Sequence, residues 1–404
     1  MQKALFLALI ISVVSCRKPQ PKPLSQGVWR AEMQVTETEM LPFNFEVTSP
    51  NTLKIFNAEE VILVDDISYR NDSVIIKMPV FEGYIAAKMN DTLLEGAFIK
   101  ESLNRVVPFK AVWNKKMRFE TPTQQPSIDV SGNWEAVFSP GVDGDEYIAK
   151  GIFEQNGSKV TGTFRTTTGD YRYLEGVIDG NELKLSTFDG SHVFLFTATI
   201  INSAMEGMFY SGNHWKERFV AKRNEAFELP DENELTYLKD GYDSIDFSFP
   251  DTTGNKVSVK DERFRNKVVV VQVMGTWCPN CLDESKYYSE YYKNNKNKDV
   301  EFIALAFEYA KTKDDAFNNI NRLKDNLGVE YPILLAQYGS SDKGKAQEKL
   351  PMLNHVLSYP TSIIIDKAGK VRKIHTGFNG PATGEKYVTF KKEFEGFVGT
   401  LLEE

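Results

Sequence analysis

The chain has 404 residues, of which 41% are hydrophobic and 12% are aromatic, so it can hold two or three domains with apolar cores. Its formal net charge of −8 argues against a nucleic-acid-binding protein, because such a protein should carry a basic stripe. A mildly acidic balance is common among soluble proteins and identifies no function.

The N-terminus has the pattern of an export signal. Lys3 is followed by the apolar run ALFLALIISVVS at 4–15, which is too short to cross a bilayer as a helix. Residues 1–15 are therefore predicted to be a cleaved signal peptide. The small residue before Cys16 resembles a bacterial lipobox and predicts a lipid anchor on that cysteine; a plain signal peptide with an incidental cysteine is the alternative. Residues 16–26 are rich in proline and predict an extended tether.

Residues 27–224 are predicted to be all-β. Short runs of alternating apolar and polar residues are separated by turn signals such as QNG at 155–157, and no long segment has a clear helical period. The four tryptophans of this half are predicted to be core anchors rather than a sugar-binding platform. They are Trp29, Trp113, Trp134 and Trp215.

This half also repeats itself. GVW at 27–29 recurs as GNW at 132–134, and LEGAF at 94–98 recurs as MEGMF at 205–209. The order of strands and turns between these words matches as well. We predict two copies of one β-unit, each a small barrel or curved sandwich of seven or eight strands; chance similarity between β-meanders is the alternative. The copies are predicted at 27–117 and 130–224.

The all-β sequence pattern ends at residue 224. Residues 225–243 are acidic, have little strand-like alternation and are predicted to be a linker, with at most a helical turn. Residues 244–404 alternate strand-like and helix-like segments, beginning with the buried strand in NKVVVVQVMG at 266–275. This alternation predicts an α/β layer fold with a mixed sheet. Its helices are predicted at 280–295, 312–327, 345–356 and 385–402.

Two of the three cysteines, Cys278 and Cys281, lie close together in GTWCPNCLDE. Cys278 stands where a strand gives way to a helix, and the free N–H groups of a helix N-terminus favour a thiolate. Export supplies a compartment in which disulfides persist. If Cys16 carries lipid, these are the remaining cysteines, so they are predicted to be a redox pair that reacts through a mixed disulfide.

Three other interpretations of the pair are weaker. A zinc site needs four ligands, and the sequence has neither a second cysteine pair nor a close histidine pair. A structural disulfide across so few residues would constrain little, because its stabilisation grows with loop length. A one-cysteine peroxidase would leave Cys281 without a role and lacks a threonine three residues before Cys278, where Gly275 stands.

Several stretches carry a family resemblance. VVVVQVMGTWCPNCLDES (268–285) and LSYPTSIIIDKAGKVRKIHTGFNGP (357–381) resemble the active-site helix and the proline loop of thioredoxin-like exported reductases of the TlpA/ResA type. GVEYPILLA (328–336) resembles the central insert strand of that family. The resemblance covers 244–404 and does not extend to the β-repeats. It implies a multidomain protein, in which the all-β half precedes a thioredoxin-like α/β domain.

The resemblance implies a role for each residue that it matches. Cys278 corresponds to the attacking cysteine, Cys281 to the resolving cysteine, and Glu284 to an acidic residue that tunes the thiols and handles protons; a solvated helix carboxylate is the alternative for Glu284. Asn280 stands where the family often has proline, which leaves the redox direction and potential open. Contacts with the substrate are implied for Trp277, Tyr359 and Pro360, the last in a cis peptide bond.

The implied function is that of a membrane-tethered, periplasm-facing thiol–disulfide oxidoreductase, mainly a reductase of protein disulfides, as in cytochrome c maturation. It needs no metal and no cofactor beyond the Cys278–Cys281 disulfide. The implied partners are client proteins with cysteines or disulfides, an unidentified membrane electron donor, and the membrane through Cys16, but no nucleic acid. One alternative is a binding lipoprotein whose β-units dock a glycan or protein partner beside an auxiliary redox domain. Another is an oxidase or isomerase of exported proteins.

Overall fold

The computed structural model describes residues 22–296 and 298–404. The predicted signal peptide at 1–15 and the predicted lipidation site at Cys16 lie outside the described residues. Within the described ranges, no helix is both long enough and apolar enough to cross a membrane.

The first β-unit is one antiparallel sheet of nine strands, counted over the described residues. The strands are β1 (Gly27–Gln34), β2 (Met40–Ser49), β3 (Thr52–Asn57), β4 (Glu60–Val64), β5 (Asp66–Arg70), β6 (Ser73–Lys77), β7 (Tyr84–Met89), β8 (Leu93–Lys100) and β9 (Arg105–Trp113). Their order across the sheet is β4-β3-β2-β1-β9-β8-β7-β6-β5. The sheet is therefore open, with β4 and β5 at its two edges. Buried and less buried residues alternate along strands such as β3, so one face forms a core.

The second β-unit closes into a barrel. Its strands are β10 (Gly132–Phe138), β11 (Tyr147–Asn156), β12 (Lys159–Thr166), β13 (Gly169–Asp170), β14 (Leu174–Asp179), β15 (Glu182–Phe188), β16 (Val193–Ile201), β17 (Ala204–Ser211) and β18 (Trp215–Arg223). β11 pairs with both β10 and β12, and β12 pairs in turn with β14. Because β10 also pairs with β18, the hydrogen-bonded ring is complete, and the short β13 extends β12 outside it.

The repeated sequence words occupy equivalent places in the two units. Trp29 and Trp134 are both fully buried, and each indole N–H donates to the carbonyl four residues earlier at 2.9 Å. Gly96 and Gly207 both stand where a Cβ atom would lie 2.0 and 2.3 Å from a carbonyl oxygen of the neighbouring strand. Only glycine fits so close an approach of the two strands, which explains why both LEGAF and MEGMF have glycine at this position.

Two expectations about the β-half are wrong. Trp113 and Trp215 are 37% and 48% exposed, so only two of the four tryptophans anchor a core. Each unit also has nine strands rather than seven or eight within the described residues. The additional strands are short edge segments, whose few residues make them hard to separate from turns by sequence pattern.

The second unit fills the open side of the first. Phe188, at the end of β15, packs between Phe43 and Phe98, with ring centroids 4.6 and 5.1 Å apart. The Asn57 side chain bonds the Phe188 backbone, accepting its N–H at 3.1 Å and donating to its carbonyl at 2.9 Å. The buried Arg118, between the units, donates to the carbonyls of residues 56 and 186, each at 2.8 Å. These contacts join the two units through both aromatic packing and hydrogen bonds.

Residues 225–243, predicted to be a linker, lie along the C-terminal domain without forming a helix. The Lys239 N–H donates to the Met352 carbonyl at 2.8 Å, and the Thr376 N–H donates to the Glu232 carbonyl at 2.8 Å. The segment thus extends the hydrogen bonding of the domain that follows it.

The C-terminal domain is a mixed sheet with helices on both faces, so the predicted order of an all-β half and an α/β domain is confirmed. The sheet order is β23-β22-β21-β24-β25. β21, β22 and β23 are parallel to one another, and β24 pairs antiparallel with β21 on one side and with β25 on the other. A small hairpin precedes it. The elements are β19 (Ser248–Pro250), β20 (Lys256–Ser258), β21 (Val268–Met274), α1 (Pro279–Asn294), β22 (Val300–Phe307), α2 (Lys313–Leu327), β23 (Ile333–Gln337), α3 (Lys343–Lys349), β24 (Thr361–Ile365), β25 (Val371–Thr376) and α4 (Glu385–Glu403).

The helix predicted at 345–356 is wrong in extent. α3 ends at Lys349, because Pro351 disfavours the helical conformation of Leu350 and lacks an N–H to continue the helix. The chain from Leu350 instead runs to the loop before β24, and this loop forms one wall of the site described next.

Candidate active site

Cys278 caps the N-terminus of α1, directly after the buried strand β21. Its sulfur accepts a hydrogen bond from the Cys281 N–H at 3.2 Å, and its thiol lies 3.4 Å from the Tyr359 carbonyl oxygen. Pro279 occupies the first helical position, where its missing N–H leaves no gap in the hydrogen bonding. Both cysteines are unbonded thiols, and Cys278 keeps 7% of its surface exposed. The geometry leaves part of one sulfur exposed to a partner, and a backbone N–H donates to that sulfur.

Cys281 lies behind Cys278 and is fully buried. Burial raises the pKa of the Cys281 thiol well above its usual range, and its interactions with Cys278 and the nearby Glu284 raise that pKa further. Cys281 therefore keeps its proton in this state of the protein. It matches the resolving position, because a shielded, protonated thiol reacts only after its neighbour has.

Glu284 is a buried carboxyl beside the cysteine pair, so the solvated alternative is wrong. It is fully buried on α1 and accepts hydrogen bonds from Gln272 Nε2 and Ser362 Oγ, each at 2.8 Å. Burial raises the pKa of Glu284 to about 7, although the bonds from Ser362 and Gln272 lower it in part. A carboxyl with this pKa can bind or release a proton near neutral pH.

A second buried carboxyl, Glu308, was missed by the sequence reasoning. It directly follows β22 and accepts hydrogen bonds from the Thr276 N–H at 2.8 Å and from the Thr276 hydroxyl at 2.7 Å. Burial raises the pKa of Glu308 to about 7, against the lowering effect of the bonds from Thr276. Glu308 holds the backbone just before the redox pair. Two sequence signals could have indicated these carboxyls: a glutamate directly after the apolar run FIALAF at 302–307, and Gln272 within VVVVQVM.

The predicted substrate-contacting residues surround Cys278. The Trp277 indole N–H donates to the Phe307 carbonyl at 2.9 Å, which fixes the ring against the sheet. The Tyr359 ring packs edge to face against the Trp277 ring, with ring centroids 5.6 Å apart. The Tyr359–Pro360 peptide bond is cis. The structure thus brings together six of the seven residues singled out in the sequence, and the seventh, Cys16, lies outside the described residues.

The second β-unit reaches over the redox pair. We call residues 166–170, the turn into β13, the cover loop. The Thr168 carbonyl accepts from the Ser358 hydroxyl at 2.9 Å, and the Asp170 carbonyl accepts from Asn280 Nδ2 at 3.1 Å. The Asp170 carboxylate also accepts from the Gly380 N–H at 2.5 Å. No sequence pattern indicates the cover loop, because these contacts join segments more than a hundred residues apart.

Arg172, two residues after the cover loop, ties all three parts of the molecule together. This buried side chain pairs with Asp283 on α1 and with Glu60 on β4, and its Nε lies 3.5 Å from Asp189. Its Nη1 also donates to the Pro279 carbonyl at 3.3 Å. Its backbone is left-handed, with φ of 61°, an uncommon conformation for a side chain of this size. The network fixes the second β-unit to the helix that carries the cysteines.

The site contains a thiol at a helix N-terminus, a second thiol buried behind it and two buried carboxyls. Within the described ranges, no group of three or more histidine, cysteine, aspartate or glutamate side chains is gathered so as to hold a metal ion. The arrangement is suited to thiol–disulfide exchange, in which one thiolate attacks a disulfide and the second thiol resolves the product.

Comparison with known proteins finds a family model and curated relatives that are similar to the C-terminal domain. Residues 240–389 match the Redoxin family model. Two curated relatives are similar, both named thiol-disulfide oxidoreductase ResA. The one from Bacillus thuringiensis subsp. konkukian is 34% identical over 131 residues, which are 32% of this chain and 66% of the relative. The one from Bacillus subtilis is 26% identical over 140 residues, which are 35% of this chain and 69% of the relative. The chain thus spans slightly less than two thirds of the first relative.

Solved structures give similar descriptions. One is a putative thiol:disulfide interchange protein DsbE from Chlorobium tepidum, which is 18% identical in sequence. The match covers 40% of this chain and 99% of the other chain, with a TM-score of 0.31. Another is the C-terminal domain of a putative thiol-disulfide oxidoreductase from Bacteroides thetaiotaomicron, at 15% identity, 40% of this chain, 97% of the other chain and a TM-score of 0.30.

The C-terminal domain is of the thioredoxin-like class, with its cysteine pair at the start of the first helix of the domain. More particularly, residues 240–389 match the Redoxin family model and resemble part of the ResA-type thiol–disulfide oxidoreductases.

Proposed function

We propose that the protein is a thiol–disulfide oxidoreductase that reduces disulfides in exported proteins, tethered by lipid on Cys16 to a membrane and facing the periplasm. The single observation that carries the proposal is the position of Cys278. Its sulfur caps a helix, contacts the Tyr359 carbonyl beside the cis-proline, and has a protonated cysteine behind it. The names of the curated relatives support the same reaction class.

The exchange proceeds in two steps. The Cys278 thiolate attacks one sulfur of a client disulfide, forms a mixed disulfide and releases the other client sulfur as a thiolate, which takes up a proton from water. Cys281 then loses its proton, and its thiolate attacks the Cys278 sulfur, so that the Cys278–Cys281 disulfide forms and the second client thiolate leaves. The client gains two electrons and the cysteine pair loses them.

In this scheme Glu284 is the acceptor of the Cys281 proton. It lies one helical turn beyond Cys281, is buried with it, and has its pKa raised to about 7 by burial. The resulting glutamic acid then returns the proton to solvent when the site opens. Glu308 is a positioning residue, because it touches the Thr276 backbone and not a reacting sulfur.

Regeneration needs a reductant that returns two electrons to the Cys278–Cys281 disulfide. We assign this role to a dithiol protein of the membrane. The clients are proteins with disulfides, for which apocytochromes c awaiting haem attachment are the proposed example.

Disulfide reduction by the full chain tests the activity. Insulin reduction with a dithiol reductant should be accelerated by the natural protein and not by Cys278→Ala, whereas Cys281→Ala should accumulate the mixed disulfide with its client. Acceleration retained by Cys278→Ala would overturn the mechanism. A midpoint potential of about −270 mV for the Cys278–Cys281 disulfide is expected for a reductase, and a value of about −120 mV would identify an oxidase instead.

A further inference from the structure

A cavity of about 470 Å³ lies where both β-units meet the redox domain. We call it the junction pocket. Its volume is in the range of pockets that bind small ligands or a few residues of a peptide. The residues that define its chemistry are Lys100, Arg105, His214, Trp215, Trp277 and Tyr309.

The charge that lines the junction pocket is basic and lacks acidic partners. Lys100 is 6% exposed, and its ammonium donates only to the Ser191 hydroxyl at 3.1 Å and the Ser191 carbonyl at 3.4 Å. Arg105 lies close enough to repel it, and among the described residues neither side chain forms an ion pair with a carboxylate. A buried cation without a partner is unfavourable, so such a group is usually paired or kept for a ligand.

Two acidic groups, Asp189 and Glu82, act on Lys100 only at longer range. Asp189 is bound by His192 at 3.0 Å and by Arg172. One oxygen of Glu82 accepts the Ser102 N–H at 2.7 Å, and its other oxygen is buried without a hydrogen-bond partner. Among the described residues, the lining of the pocket includes no acidic side chain, so its basic groups face the concave space without a carboxylate partner, in a chain whose net charge is −8.

The junction pocket shares a wall residue with the redox site. Trp277, the residue before Cys278, forms part of its wall. The Ser191 hydroxyl, which binds Lys100, also donates to the Trp277 carbonyl at 3.1 Å. An extended peptide whose cysteine reached Cys278 could therefore place a neighbouring side chain in the pocket.

We propose that the junction pocket binds an acidic side chain of the client, in the segment that flanks the reactive cysteine. The carboxylate pairs with Arg105 and Lys100, and the aromatic walls of Trp215 and Trp277 pack against the apolar part of the segment. This inference rests on the proposed function, since it names the client chemistry of the same site. Short-range pairing in a partly desolvated pocket gives selectivity for acidic segments over neutral and basic ones.

Binding is measured apart from chemistry in a Cys278→Ser/Cys281→Ser background of the full chain. Three fluorescent octapeptides, in which the cysteine is replaced by serine and the flanking residues are Glu, Gln or Lys, are titrated by anisotropy. The Glu peptide should bind about tenfold more tightly than the Gln peptide, and Arg105→Gln should reduce that ratio to about one. Lys110→Gln, an exposed lysine on the same strand, is the matched control and should leave the ratio unchanged.

The same preference should appear in reduction. Mixed disulfides of the cysteine-containing peptides are presented to the protein with both cysteines intact, and kcat/KM is compared for the Glu and Gln peptides. The pocket assignment would be overturned if the ratio of kcat/KM for the Glu peptide to that for the Gln peptide were the same in the natural protein and in Arg105→Gln. It would also be overturned if Lys110→Gln lost the preference for the Glu peptide as fully as Arg105→Gln. Selective binding without any peptide reduction would uphold the pocket and overturn the proposed activity. Reduction of the peptides without a preference for the Glu peptide would uphold the proposed activity and overturn the pocket assignment.

Discussion

The two β-units share a strand order but differ in closure. In the second unit, the fourth strand β13 has only two residues, so β14 pairs directly with β12 and completes a barrel. In the first unit, the fourth strand β4 has five residues and occupies the edge of β3, so β5 cannot pair there. The core of the barrel is separate, whereas that of the open sheet continues into residues of the second unit and the redox domain.

The fourth strands of the two units differ in length and pairing, yet each carries a residue whose contact lies near the redox site. Glu60 on β4 pairs with Arg172, and Asp170 on β13 accepts the Gly380 N–H. The shared Trp29 and Trp134 anchors keep each fold intact while this strand varies.

The largest effect is expected from removing the side chain that joins both fourth-strand regions to the redox domain. Arg172→Leu leaves Glu60, Asp189 and Asp283 without their shared cation, and breaking a buried ion pair costs about 3–5 kcal/mol. The urea midpoint of the full chain should fall markedly. Arg218→Leu, which removes an exposed pair with Glu206, should change stability by less than about 1 kcal/mol. Equal shifts for the two variants would contradict the network.

The dependence of the open sheet on the barrel is tested with Phe188→Ala. Phe188 belongs to the second unit by sequence but packs against Phe43 and Phe98 of the first, and truncating a buried phenylalanine costs about 3–5 kcal/mol. Hydrogen exchange should accelerate in β2 and β8 of the first unit. Phe153→Ala, within the core of the barrel alone, is the control and should leave exchange in β2 and β8 nearly unchanged. Uniform acceleration in both variants would show that the cores are not separate.

The pH response should come from the redox domain. The pKa of Glu284 is raised by burial to about 7, above its unfolded value of 4.5, so its contribution to stability is full below pH 4.5 and declines as the pH rises through 7. The free energy of unfolding should lose about 3 kcal/mol from this group between those limits. In urea unfolding from pH 4.5 to 8.5, Glu284→Gln should remove the share of the decline that comes from Glu284, while the share from Glu308, whose pKa burial also raises to about 7, remains. Glu290→Gln, an exposed change on the same helix, should preserve the whole decline; an unchanged profile in Glu284→Gln would contradict the assignment.

The smallest effect concerns the cover loop. Ser358→Ala removes one hydrogen bond to the Thr168 carbonyl, a change of about 0.5–1.5 kcal/mol that should favour loop opening. Alkylation of Cys278 by iodoacetamide should accelerate about two- to tenfold. Ser289→Ala, farther along α1, is the matched control and should leave the alkylation rate unchanged. A slower or unaltered rate in Ser358→Ala would mean that the loop does not limit access.

Sequence reasoning succeeded where spacing along the chain decides the outcome. Cys278, Cys281 and Glu284 follow one another at helical intervals, so their proximity follows from one helix beginning at Pro279. The segments around Trp29 and Trp134 are equivalent in sequence because the same short motifs and the same order of strands and turns recur, and in the structure each tryptophan bonds a carbonyl four residues earlier. The helix predicted to run to residue 356 is wrong because the chain reaches Pro351 first, and α3 ends at Lys349.

By itself, then, the sequence determined the redox pair, the repeated β-units and the α/β domain, because each depends on local periodicity or on neighbouring residues. Only the tertiary structure decided the rest. Parallel pairing of β21 with β22 brings Glu308 to Thr276, and closure of the barrel brings the cover loop to Asn280. The basic residues of the junction pocket meet Trp277 across domain boundaries. Such contacts depend on how distant strands pair and pack, which spacing along the chain does not specify.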